Sequence, residues 1–182
     1  MKYTEKIMQL VEEMATKQTE NFEKENNLRH EYQNERITGV VYAERMAELK
    51  DQVNAELVKT AGEIEATRKA YAEAVKAGNI VDGSMLDKDA ELLKLPIDLT
   101  SDQFNALVDR HRNNPLMCEL LRDYQSKRSG KYDCYLPTPE QKISDFSKFC
   151  ETASSVIKDP NSIQAGFFAD GSYTPQSATE EI

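Results

Sequence analysis

The chain has 182 residues, 39% of them hydrophobic and 30% charged, with 32 acidic against 23 basic side chains and a formal net charge of −9. That length allows one ordinary domain, or a small domain with an extension, and charge above the usual ~25% suits an elongated helical shape with much surface to solvate. So acidic a surface repels phosphate backbones, which argues against direct nucleic-acid binding, and no stretch approaches the ~18 apolar residues of a membrane span.

Three cysteines, Cys118, Cys134 and Cys150, stand far apart and in odd number. That pattern points to a reducing compartment rather than a disulfide framework. Met1 to Lys6 runs straight into an amphipathic pattern with no apolar signal core, so the expected location is the cytoplasm in which the chain is made.

From the N-terminus, Tyr3, Ile7, Leu10 and Met14, with Val11 alongside, fall in steps of three and four and mark one face of a helix. The stripe thins to Phe22, Leu28 and Tyr32. Neither proline nor glycine interrupts residues 1–38, and Gly39 is predicted to end the helix by taking a left-handed backbone angle. A second run carries Met46, Val53, Leu57, Ile64 and Tyr71 in steps of seven and four, with Leu49, Ala61, Ala74 and Val75 flanking. This is a heptad seam, weakened by Gly62 and ended by Gly78. Each run would be roughly 50 Å long at ~1.5 Å per residue, and a short connection favours an antiparallel pair. Residues 1–78 are therefore expected to form a long helical hairpin; a single bent rod pairing with another copy is the alternative. Its thin core calls for a further surface, from a second copy or another protein.

Residues 79–158 read as a small bundle of short helices. Ser84 with Asp87 predicts a capping box that opens a helix running through Leu93, and Pro96 stops it. Thr100 and Gln103 form a second box, with Leu99 stapling to Phe104 and with Leu107 and Val108 inward. Asn114 then caps a helix with Pro115 at its first position and Leu116, Leu120, Leu121 and Tyr124 facing inward. Residues 132–136 suit a short extended segment. Thr138, Pro139 and Gln141 open a last helix with the stripe Ile143, Phe146, Cys150, Ala153 and Ile157, beside Phe149, and Asp159-Pro160 ends it. Residues 159–182 are expected to be an extended segment with an apolar anchor, Ile163 and Phe167-Phe168, followed by a mobile polar tail from about Thr174. The fold class is thus mainly α, a long hairpin plus a small C-terminal helical body.

No constellation of catalytic residues stands out. His30 and His111 are the only histidines. A Cys118–His111 thiol–imidazole pair would need two helices to aim the groups at each other, and Cys118 among Leu116, Met117, Leu120 and Leu121 reads as a small core residue. A zinc site from Cys118, Cys134, Cys150 and His111 lacks the close ligand pair of structural zinc sites. The run Asp82 to Asp89 departs from the calcium-loop pattern: its glycine follows the first carboxylate, and Leu93 stands where the closing glutamate belongs. Glu12-Glu13 and Glu63 with Glu65 read as solvated faces. Arg110, Arg112, Arg122, Lys127, Arg128 and Lys131 form a basic cluster whose ordinary fate is pairing with nearby carboxylates. Phe167-Phe168 either tucks back onto the body or anchors another subunit.

The segments Asp82-Gly83-Ser84-Met85-Leu86, Leu99-Thr100 with Phe104-Asn105-Ala106-Leu107, and Asn113-Asn114-Pro115-Leu116-Met117 with Leu120-Leu121 and Tyr124 resemble small uncharacterised proteins encoded by phages and prophages of Gram-positive bacteria. The resemblance implies a viral protein of the head or virion-assembly genes, working in the bacterial host cytoplasm and incorporated in the virion or not. The expectation is a non-enzymatic structural or assembly protein, scaffold-like or a minor head component, with no cofactor and no metal. It would act as a homo-oligomer or virion component through Met46, Val53, Leu57, Ile64, Tyr71, Phe167 and Phe168. An acidic inhibitor of a host defence or nucleic-acid-binding enzyme is the alternative.

Overall fold

The computed structural model describes residues 3–128, 130–160, 162, 165, 166 and 168. Among them every regular element is helical and there is no strand. The α-helices are α1 (Tyr3–Gln33), α2 (Gly39–Gly78), α3 (Asp89–Lys94), α4 (Ser101–His111), α5 (Pro115–Ser126) and α6 (Pro139–Val156).

The hairpin expected of the N-terminal half is present, and the two long helices pack against each other. Contacts rise along α1 as they fall along α2: Tyr3 with Tyr71, Met14 with Thr60, Lys17 with Glu56, Glu31 with Arg45, and Tyr32 stacked on Tyr42. The turn between them differs from the glycine cap expected. The left-handed residue is Glu35, at φ 56°, where the Arg36 N–H reaches Glu31 O (2.9 Å) and the Glu35 N–H reaches Tyr32 O (3.0 Å). This pair of bonds closes the orphan carbonyls of α1 in a Schellman arrangement. Gly39 instead begins α2, and Thr38 caps it by accepting from the Val41 N–H at 3.4 Å.

The chain divides into two compact units, one taking the residues through Tyr71 and again from Ser144, the other residues 72–143. In the first, α6 lies parallel to α1 and antiparallel to α2. Tyr3 and Tyr71 both meet Phe146, Arg68 reaches Ser147 Oγ at 3.3 Å, and the Gln18 amide donates to Ile157 O at 2.7 Å. The sequence pattern put this helix with the short ones at 79–158. Its stripe of Phe146, Phe149, Cys150 and Ala153 is buried in the unit that holds the hairpin, because large rings from α1 and α2 meet it there.

The second unit is built around Leu99, Phe104, Leu107, Val108, Leu121, Tyr124 and Tyr132. Its caps are those the sequence predicts. Thr100 Oγ1 accepts from the Gln103 N–H and the Gln103 side chain answers at the Thr100 N–H; Asn114 caps α5 ahead of Pro115; Thr138 and Gln141 repeat the reciprocal box. The Ser84 box does not form. Asp82 caps a single 3-10 turn, Gly83–Met85, and α3 begins only at Asp89, since the Asp87 carboxylate accepts from the Asp89 N–H and bends the chain first. Residues 132–136 are non-repetitive, held by the Gln125 amide, which donates to both Tyr132 O and Cys134 O.

Candidate functional site

The seam predicted on α2 divides along its length. Ile64 and Tyr71 are buried, while Met46, Val53 and Leu57 are half-buried. The flanking Leu49 is buried as well, and the structure adds Thr60 and Thr67 to the buried side. The threonines are easy to miss as seam residues because they are polar. Thr67 bonds its hydroxyl to Glu63 O within its own helix (2.8 Å), and Thr60 rests its hydroxyl against the Met14 sulfur (3.9 Å).

Beyond the reach of α6, α1 and α2 continue as a two-helix arm. The buried residues of α1 are Thr4, Ile7, Leu10, Val11 and Met14, so its second half buries none. At the half-buried positions of residues 19–33, α1 offers Asn21, Glu25, Asn26, Leu28 and Glu31. Over the facing stretch α2 brings Met46, Leu49 and Val53, of which only Leu49 is fully covered, while Tyr42 stacks on Tyr32 near the turn and Leu57 is half-buried beside the Lys17–Glu56 pair. The apolar stripe of α2 is therefore matched by a mostly polar helix. Phe22 (63% exposed) and Val58 (74%) add apolar surface that faces water.

Of the aromatic anchor, Phe167 lies outside the described residues, as do Ile163 and the tail from residue 169. Phe168 is buried, its ring stacked on Phe149 with centroids 5.1 Å apart. It helps close a pocket of about 180 Å³ whose wall includes Met8, Val11, Ala15, Ile157 and Pro160.

The second unit brings together groups that the sequence leaves apart. His111, the last residue of α4, is buried, and its Nε2 lies 2.8 Å from Asp89 Oδ2; Arg110 Nη1 meets the same oxygen at 2.7 Å. The His111 bond, and after it Arg110, hold the Asp89 carboxyl below the usual carboxylate range. The Cys118 thiol donates to the backbone oxygens of His111 (3.3 Å) and Arg112 (3.5 Å). Burial pushes the Cys150 thiol up to about 12, so it stays protonated and unreactive.

The basic cluster is engaged within the fold. Arg110 pairs with Asp89, Arg112 with Asp109, Lys127 with Asp123, Arg128 and Lys131 with Asp98, and Arg122 with Pro137 O. Arg128 also lies over the Tyr124 ring, 3.7 Å from its centroid.

No helix among the described residues is long and apolar enough to cross a membrane. Comparisons with protein-family models, with curated proteins and with solved structures find no match.

Proposed function

We propose that this chain is a non-enzymatic assembly protein of a phage particle, joining a second copy of itself, or another virion component, through helix–helix contacts on the α1–α2 arm. The mismatch within the arm supports this: α2 carries Met46, Leu49 and Val53 along one side, whereas the half-buried positions of α1 over residues 19–33 are asparagine, glutamate and a single leucine, with the Tyr32–Tyr42 stack closing the end by the turn. Apolar side chains left half in water gain about 25 cal/mol for each Å² that a further helix covers. The phage setting comes from the resemblance of the middle of the chain.

Light scattering after gel filtration tests it. The wild-type chain should have a mass above that of one copy, and Met46→Asp with Val53→Asp should reduce it to one. Helical circular dichroism should persist, because the fully buried residues of the bundle lie elsewhere, around Ile7, Met14, Ile64 and Phe146. Association should also survive high salt, which screens charge pairing but not apolar burial. A wild-type monomer at every concentration tried would remove the self-association form of the proposal. Capture of another virion component by the double variant as strongly as by wild type would remove the other.

A further inference from the structure

Apart from the arm, the second unit holds a cluster with the composition of a metal site. Asp87 sits in the turn ahead of α3, Asp89 is the first residue of α3, and His111 closes α4; one ligand-type atom from each lies within 4.8 Å of the others. We propose that Asp87, Asp89 and His111 bind a divalent first-row transition ion of the zinc type.

The segments that carry these residues are tied together without the ion. Asn114 caps α5 and donates its amide to Met85 O at 2.6 Å, which fastens the turn before Asp87 to the loop after α4. The same loop holds His111 in place, since its carbonyl accepts from the Asn114 N–H (2.8 Å) and from the Cys118 thiol (3.3 Å). The imidazole is buried, Asp89 is half-buried and Asp87 is exposed, so the cluster grades from a fixed inner ligand to an open mouth. Asp87 spends Oδ1 on the Asp89 N–H, an outer hydrogen bond of the kind that orients a carboxylate ligand.

The donor set selects the ion. Two carboxylates and one imidazole are too few oxygens for calcium, which takes about six to eight, and imidazole suits zinc and its neighbours better than magnesium. Three protein ligands leave one tetrahedral position to water. With bonds of about 2.0–2.1 Å, tetrahedral ligand atoms stand roughly 3.3 Å apart. His111 Nε2 and Asp89 Oδ2, now 2.8 Å apart, need only a small opening. The negative end of the α4 dipole adds to the attraction for a cation at His111.

Arg110 is the competitor. Its guanidinium lies on Asp89 Oδ2, yet its side chain is 62% exposed and free to swing into water when an ion takes that oxygen. This gives the proposal a signature that an internal ion pair lacks: removing the arginine should improve metal binding.

Isothermal titration calorimetry of the full chain with ZnCl2 in a non-chelating buffer at neutral pH tests it. Cys118→Ser and Cys134→Ser are the background, because half-buried thiols can take zinc by themselves. One ion per chain is expected. Asp87→Asn, an exposed change that leaves the buried pair intact, should weaken binding about tenfold or more, and Arg110→Ala should tighten it several-fold. His111→Ala should abolish it, with circular dichroism to check that the fold survives. An absence of binding to the parent, affinity unmoved by Asp87→Asn, or affinity lowered by Arg110→Ala would each overturn the assignment.

Discussion

The ring of Tyr71 on α2 stacks on Phe146 of α6, with centroids 4.0 Å apart and planes 25° from parallel, and the Tyr3 ring of α1 stands at 80° to both. Three helices thus share one aromatic contact, drawn from three widely separated stretches of the chain. Phe146 is fully buried there. Phe146→Ala should cost about 3–5 kcal/mol through lost burial and the cavity left behind. Urea denaturation followed by circular dichroism measures this, and a loss under 1 kcal/mol would mean that α6 is not held at this point.

Glu35 occupies a left-handed backbone angle that a side chain makes costly. Glu35→Gly should stabilise the hairpin by about 0.5–1 kcal/mol, as relief of ~1–2 kcal/mol of backbone strain outweighs the added freedom of the unfolded chain. A rise in melting temperature is the expected readout.

Gly62 is an ordinary helical residue in the middle of α2, and a β-carbon added to it would meet nothing within 4 Å. Gly62→Ala should therefore stabilise by about 0.5–1 kcal/mol, through helix propensity alone. The denaturation midpoint should rise without a change in the slope of the transition.

The three thiols should react in two classes. Cys118 and Cys134 are half-buried, whereas Cys150 is buried and its thiol is pushed up to about 12. A thiol-specific chromogenic reagent at neutral pH should modify the first two in the folded protein and reach Cys150 only as the protein unfolds. Early modification of Cys150 would show that the bundle opens locally.

Asp89 should give the second unit an acid-sensitive share of its stability. Its carboxyl is depressed in the folded state, first by His111 and then by Arg110, so the contribution is complete above the ordinary carboxylate pKa of about 4 and is lost as pH falls through the lower folded value. Asp89→Asn should be less stable than wild type at pH 7, and the difference should shrink below about pH 4. Urea denaturation across that range measures the gap; a constant gap would mean that the Asp89 charge is not what stabilises.

Local signals along the chain specify the helices and most of their starts. The caps at Thr100, Asn114 and Thr138 are closed by groups three residues away, so nothing distant has to be known to read them. The apolar stripes of α1 and α6 were legible for the same reason, since spacing along one helix fixes which residues share a face. Two local signals compete at the turn: Gly39 has the residue type of a helix stop, but Glu35 takes the left-handed angle and Thr38 caps the next helix. Tertiary structure alone decided what each face meets. It placed the body of α6 in the unit of the hairpin, buried Thr60 and Thr67 in the seam, and set His111 against Asp89 at a separation of 22 residues. Burial and side-chain pairing depend on a surface that arrives from elsewhere in the chain, and no periodicity within a single helix carries that information.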